Sequence, residues 1–231
     1  MVMTGKVSKF RLLFVLILLV SVTGCKAAAA VYPLPGGEGA NSYIVAGRDK
    51  AAVIDPVSSE EIIAVLRKKG LQLQYVILTH GHFDHILGVE ELVKEYPEAR
   101  VMVHPGDEDK LADPVKNVSR SFGQEITVRV NTVPLTGETE LDLGGVTLEV
   151  METPGHTGGS ICIKTGKIVF TGDTLFRGSV GRTDLGDGSP SDLTASLKKI
   201  MELPGETRVL PGHGETTTIG EEKEDNPFLQ E

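Results

Sequence analysis

The stretch "YVILTHGHFDHILG", Tyr75 to Gly88, limits the fold more than any other part of the chain. Tyr75, Val76, Ile77 and Leu78 form an unbroken apolar run, as a strand covered on both faces requires. Beyond it, Ile86, Val89, Leu92, Val93 and Tyr96 recur at helical spacing. Between the two lies H-x-H-x-D-H, which is His80, His82, Asp84 and His85, and it holds three of the six histidines in the chain. A buried strand that ends in polar residues and runs into a helix is an α/β device, and such folds carry their sites at strand ends. His80 and His82, two apart in a tight turn, can turn both rings toward one point. Asp84 and His85, at the start of the helix, can face a second. Imidazole and carboxylate together suit Zn²⁺ and related ions.

The rest of the sequence alternates in the same manner. "NSYIVAG" and "AAVIDP" read as strands joined by the turn "GRDK". "SSEEIIAVLRKKG" reads as a helix, with Ser58 or Ser59 as cap, Glu60 and Glu61 at its positive end and Gly70 just past its last turn. "RVMVHP", "ITVRVNTVPL", "TELDLGGVTLEVMETP", "SICIKTGKIVFTGD" and "TRVLPGH" read as further strands. "SPSDLTASLKKIMELPG" predicts a helix with Ser189 as cap, Pro190 at its first position and Asp192 at its third. Two strand-rich stretches, each with its own helices, predict two packed sheets with helices outside.

Three more polar residues follow apolar strands directly and sit beside glycine: His156 in "METPGHTGGS", Asp173 in "IVFTGDT" and His213 in "RVLPGHGE". Each alone reads as a turn residue. Together they bring five of the six histidines to strand ends. The sixth, His104 in "VMVHPGDE", is assigned to a surface loop. Cys162, between Ile161 and Ile163, reads as a buried strand residue without a catalytic role.

The set "THGHFDH…PGHTGGS…FTGDTLF…PGHG" resembles the metallo-β-lactamase superfamily, over roughly residues 36 to 231. The resemblance implies an αββα sandwich of two mixed sheets flanked by helices. It also implies a site for two divalent metal ions, zinc first, with iron or manganese as alternatives. His80, His82 and His156 would hold one ion and Asp84, His85 and His213 the other, with Asp173 bridging. Asp55, in "VIDP", matches the family's early aspartate and would orient a ligand. Lactam-hydrolysing members with a cysteine ligand need Cys where this chain has Asp173, and flavin-linked di-iron members have Glu where it has His82. "GDTLFRGSVGRTDLGDG" and "TTIGEEKEDNPFL" resemble the hydroxyacylglutathione hydrolase (glyoxalase II) branch. The implied activity is hydrolysis of a thioester by a metal-bridging hydroxide, with Asp84 or Asp173 as proton acceptor. Arg182 is the candidate anchor for an anionic part of the substrate. Full-length members of that branch add a helical domain that helps to hold glutathione, whereas 18 residues, Gly214 to Glu231, follow His213 here. The expectation is therefore an acyl-thiol substrate not tied to glutathione. A mononuclear-iron persulfide dioxygenase, which shares much of the motif and a "GRTD" element, is the alternative from another enzyme class. A lactonase or other binuclear ester hydrolase is a third.

The N-terminus has a different character. Lys6, Lys9 and Arg11 precede eleven nearly pure apolar residues, Leu12 to Val22, and then "TGCKAAAA". That order is an export signal, and the apolar run falls short of the roughly 20 residues of a spanning helix. "VTGC" resembles a bacterial lipobox. The expected organisation is a signal over residues 1–24, a lipid-modified Cys25 with a tether over residues 25–39, and the catalytic domain over residues 40–231. The protein would be exported and held on a bacterial membrane, on its outer face or in the periplasm, by that lipid. A net charge of −9 argues against nucleic acid, whose binding rests on Lys and Arg contacts to phosphate. Cys25→Ser should release the protein from membranes or block its processing, as read by membrane fractionation and the mass of the N-terminal peptide. Unchanged membrane association with an intact N-terminus would instead indicate a spanning anchor.

Overall fold

The computed structural model describes residues 28–36, 39–137 and 139–230. The expected signal and Cys25 lie outside them, and among the described residues no helix is long and apolar enough to cross a membrane.

Ala30–Leu34 (β1) falls inside the stretch expected to be a tether, and this boundary needs correction. It pairs antiparallel with Ser42–Ala46 (β2), Val31 opposite Val45, so residues 30–34 belong to the sheet rather than to a tether. "YPLP" suggests a chain break, but an edge strand tolerates Pro33 because its outer side needs no donor. Lys50–Ile54 (β3), Gln72–Ile77 (β4), Arg100–Val103 (β5) and Thr132–Pro134 (β6) complete a six-stranded sheet in sequence order. β1 to β3 are antiparallel and β3 to β6 parallel. The parallel connections carry Ser59–Lys69 (α1) and Val89–Glu95 (α2).

The second sheet begins with Glu140–Asp142 (β7), Thr147–Glu152 (β8), Ile161–Thr165 (β9) and Ile168–Gly172 (β10). A small hairpin, Leu175–Phe176 (β11) and Ser179–Val180 (β12), leads to Pro190–Met201 (α3). Arg208–Pro211 (β13), Thr217–Thr218 (β14) and Ile219–Asp225 (α4) follow. The sheet order is β14-β13-β10-β9-β8-β7, with β13 parallel to β10.

Side-chain alternation builds the layers. In β2, Tyr43 and Val45 face the other sheet while Ile44 faces the helices. Tyr75 and Ile77 likewise point between the sheets, and Val76 and Leu78 outward. The inter-sheet core joins these residues to Leu148, Ile163, Phe170 and Leu210. Ile62 and Leu66 of α1, with Val89 and Leu92 of α2, cover the first sheet. Leu193, Leu197 and Ile200 of α3, with Ile219 of α4, cover the second over Cys162 and Val169. This is the αββα sandwich.

The caps of α1 and α3 are the expected ones: Ser58 accepts from the Glu61 amide, Ser189 accepts from the Asp192 amide, and Gly70 takes the left-handed conformation. α2 is shorter than the pattern predicts. The segment opens as a 3₁₀ turn, Phe83–His85, and the α-helix begins only after Gly88. The Gly88 amide donates to the Pro56 carbonyl at 2.9 Å, and a Cβ at Gly88 would meet the start of α1 at 3.2 Å. Packing against α1 thus interrupts the helix. Of the strand predicted across "ITVRVNTVPL", only Thr132–Pro134 forms. The Val128 amide is held by the Leu111 carbonyl at 2.7 Å and the Arg129 amide by Glu90 at 2.8 Å, so this backbone pairs with a loop and α2 rather than with a strand.

Several contacts tie the sheets together at one end. The Tyr43 hydroxyl donates to the Pro211 carbonyl at 2.7 Å, and the Ile161 amide donates to the Thr79 carbonyl at 2.9 Å. Gly172, at the end of β10, has φ +47°, and a Cβ there would lie 2.4 Å from Thr79 Oγ1. Gly172→Ala combines left-handed strain with a clash against the neighbouring sheet, and should destabilise the domain by about 3 kcal/mol. A denaturant midpoint within error of the wild type would contradict this packing.

Candidate metal centre

Every candidate ligand lies on that tied end. His80 and His82 follow β4, and Asp84 and His85 occupy the 3₁₀ turn. His156 follows β8, Asp173 follows β10 and His213 follows β13. Strands from both sheets therefore deliver side chains to one place. They converge as three overlapping groups: His80, His82 and His156; His80, His85 and Asp173; and Asp84, His85 and His213, each with its ligand atoms within 4.8 Å. Asp173 lies between the outer two, with Oδ2 at 3.6 Å from Nε2 of both His156 and His213, and Oδ1 at 3.3 Å from His85 Nε2. His213 Nε2 is 3.2 Å from Asp84 Oδ2.

The surrounding hydrogen bonds set the tautomers. Asp55 ends β3 in a left-handed conformation, φ +50°. Its Oδ1 accepts from the Thr79 amide at 2.8 Å, and its Oδ2 accepts from the Thr79 hydroxyl at 2.6 Å and from His85 Nδ1 at 2.9 Å. Because that hydroxyl donates to Asp55, it is free to accept from His80 Nδ1, 3.2 Å away. His156 Nδ1 donates to the Arg182 carbonyl at 2.8 Å. The Nε2 atoms of His80 and His156 are thus left as lone pairs aimed into the cluster, and His85 also presents Nε2 there.

His80, His82, His85 and His156 are buried. Burial and the neighbouring imidazoles hold His80 well below the ordinary histidine value and lower His82 to about 4, so both are neutral lone-pair donors at neutral pH. Burial opposes the charged form of His85 too, but Asp173 and Asp55 outweigh it and raise its pKa well above the ordinary value. Burial likewise opposes ionisation of Asp173, and the facing histidines overcome it and hold the carboxyl ionised.

His80 Nε2 and Asp173 Oδ1 are buried without a hydrogen-bond partner. Such atoms are costly unless something else satisfies them. Two nitrogen-rich groups sharing an anionic carboxylate, with ligand atoms unsatisfied, suit a pair of divalent cations. Asp84 and His213 have 25% and 34% of their side chains exposed, whereas His85 has none, so the cluster opens to solvent on the Asp84–His213 side.

Asp55 does what the sequence leads one to expect, holding His85 and, through Thr79, His80. Arg182 is different. Its guanidinium forms a two-pronged pair with Asp184 at 2.6 and 2.7 Å, and the residue reaches the cluster through its carbonyl. His104 lies outside the cluster, accepting from the Gly106 amide. Sequence reasoning overlooked Asp107 and Thr79. Asp107 follows β5, beside β4 in the same parallel sheet, and "HPGDEDK" repeats the signature of a polar residue beside glycine past a strand end.

Asp173→Ala should remove at least one of two bound metal ions and most activity while leaving the aliphatic core intact. Elemental analysis with circular dichroism checks it, and full metal occupancy with normal turnover would exclude a shared role for Asp173.

The family description "Metallo-beta-lactamase superfamily" matches residues 35–213. The chain is 37% identical over 195 residues to a protein of Bacillus subtilis (strain 168) named "Probable metallo-hydrolase YqgX", covering 82% of this chain and 92% of that one. It is 34% identical over 173 residues to a "Hydroxyacylglutathione hydrolase" of Parasynechococcus marenigrum (strain WH8102), covering 71% of this chain and 62% of that relative. Among solved structures it is similar to the BLEG-1 B3 metallo-beta-lactamase, with 37% identity, a TM-score of 0.82, and coverage of 87% of this chain and 100% of that one. The chain belongs to the metallo-β-lactamase superfamily and carries a histidine-rich cluster suited to metal.

Proposed function

We propose that this protein hydrolyses thioesters at a two-metal site, as an exported enzyme held to a membrane through a lipid on Cys25. In this reading His80, His82 and His156 hold one divalent ion, Asp84, His85 and His213 hold the other, and Asp173 serves both. Zinc is the proposed metal. The observation that carries the reading is the position of Asp173 between two complete ligand groups, 3.6 Å from a histidine of each. Bound ions would supply Lewis acidity, lowering the pKa of water and polarising the substrate carbonyl.

The chain's own residues supply the rest. Asp55 and the Arg182 carbonyl keep the ligand nitrogens in the required tautomers. Asp84, at the open side, is the carboxylate placed to take a proton from water as it attacks. A thiolate leaves without a dedicated general acid, which suits a site whose other polar groups are committed to ligation. Cys162 is unsuited to be a nucleophile, being fully buried with its thiol pushed up to about 11 by that burial. Phe122, 57% exposed and packed 5.4 Å from Phe83 in the ligand-bearing turn, offers apolar surface for an acyl group. Similarity to a hydroxyacylglutathione hydrolase supports the thioester class.

A second reading, opening of a lactam or lactone ring at the same site, is favoured by the likeness to a B3 metallo-beta-lactamase. Purified protein should release free thiol from several acyl-thiols, lose that activity to a chelator and regain it with Zn²⁺. A lactone and a β-lactam run alongside separate the second reading. No thiol release, one iron per chain and O₂ uptake with a persulfide would replace hydrolysis with the dioxygenase reaction.

A further inference from the structure

Asp107 is fully buried, and its carboxylate accepts four hydrogen bonds. Oδ2 accepts from the Gly81 amide at 2.7 Å and from the Thr157 hydroxyl at 2.7 Å. Oδ1 accepts from the Gly159 amide at 2.8 Å and from Lys110 Nζ at 2.9 Å. Gly81 separates His80 from His82, and Thr157 and Gly159 follow His156. One side chain outside the cluster therefore grips both loops that carry the first ligand group, and touches neither Asp84, His85 nor His213.

The glycines show how closely the three segments meet. A Cβ at Gly81 would stand 2.8 Å from Lys110 Cβ and 2.9 Å from the Asp107 carbonyl oxygen, and one at Gly159 would stand 2.6 Å from Asp107 Oδ1. Lys110 extends the grip, since its Nζ also donates to Asp187 Oδ2 at 2.8 Å, and that carboxylate accepts from the Gly158 amide at 3.1 Å. Burial disfavours the charge on Lys110, but the two carboxylates outweigh it and raise its pKa.

We propose that Asp107 is a positioning residue that sets the spacing of His80 and His82 against His156, and so controls metal affinity at that group selectively. The inference rests on the two-metal reading of the site and deepens it. An oxygen pair with four donors cannot be replaced by an isosteric amide. In Asp107→Asn one end becomes an NH₂ group, which must face either the Gly81 or the Gly159 amide, so one loop loses its anchor.

The test is a Zn²⁺ titration of metal-free protein in competition with a chromophoric chelator. His213→Ala, which removes a ligand of the other group, identifies which binding step belongs to which group. Asp107→Asn should weaken the step assigned to His80, His82 and His156 by about 10- to 100-fold, the range for residues that hold metal ligands, and leave the other step unchanged. Amide hydrogen exchange at Gly81 or Gly159 should quicken in the metal-free variant. Leu66→Ala, in the helix layer over the first sheet, controls for general loss of stability. Unchanged Zn²⁺ binding in Asp107→Asn, or equal weakening of both steps as in that control, would overturn the proposal. If Asp107→Asn does not fold, Thr157→Val removes one bond of the grip and must weaken the same step several-fold, or the proposal fails. No substrate enters these measurements. Absence of thioester cleavage would therefore overturn the proposed reaction alone, whereas wild-type protein that takes up no Zn²⁺ would overturn both.

Discussion

The carboxylate of Asp55 is the point on which fold and metal centre both depend. It leaves β3 in a left-handed conformation, accepts three hydrogen bonds, and so ties the end of β3 to the end of β4 and to the 3₁₀ turn. A non-glycine residue in that conformation costs about 1–3 kcal/mol. Three hydrogen bonds to one buried charged group can offset such a cost, at about 1.5–3 kcal/mol each. The return is geometric: two histidine rings are oriented by one carboxylate, directly for His85 and through Thr79 for His80.

The cluster concentrates groups that repel or attract strongly at short range. His80 and His85 stand 4.1 Å apart by ring centroid, and His82 Nδ1 faces His156 Nε2 at 2.9 Å. Burial, and then such crowding, keeps His80 and His82 neutral, while Asp173 and Asp55 favour positive charge at His85. A site arranged this way offers neutral nitrogens on one side and an anionic carboxylate at its centre, the combination that divalent cations match. The scaffold can hold it because the surrounding layers are aliphatic and closely packed, and because contacts such as Tyr43 to Pro211 lock the sheets at that end.

The supports divide between the two ligand groups. Asp55 acts on His80 and His85, one from each group, whereas Asp107 acts on the loops of the first group alone. The second group takes one member, His213, from just beyond β13 of the other sheet and is the more exposed. The more exposed side of the cluster thus has fewer supporting contacts than the side buried in the sandwich.

The layers and the candidate metal cluster were legible in the chain's sequence, because both are written in local patterns. The apolar runs of β2, β3 and β4, the caps at Ser58 and Ser189, and the spacing of His80, His82, Asp84 and His85 depend on neighbours a few residues apart. His156, Asp173 and His213 were legible for the same reason, each being a polar residue beside glycine after an apolar strand. Tertiary structure decided what depends on contacts between distant segments. β1 exists because β2 offers it an edge, although Pro33 marks a break in a local reading. α2 is short because Gly88 packs on the start of α1. The guanidinium of Arg182 is taken by Asp184, and only the carbonyl of Arg182 meets His156. Asp107 shares the mark of a polar residue beside glycine past a strand, but nothing local names its partners. Its role arises because β5 lies beside β4 and the loop after β8 folds onto both, and only that packing turns an ordinary loop aspartate into the anchor of two ligand loops.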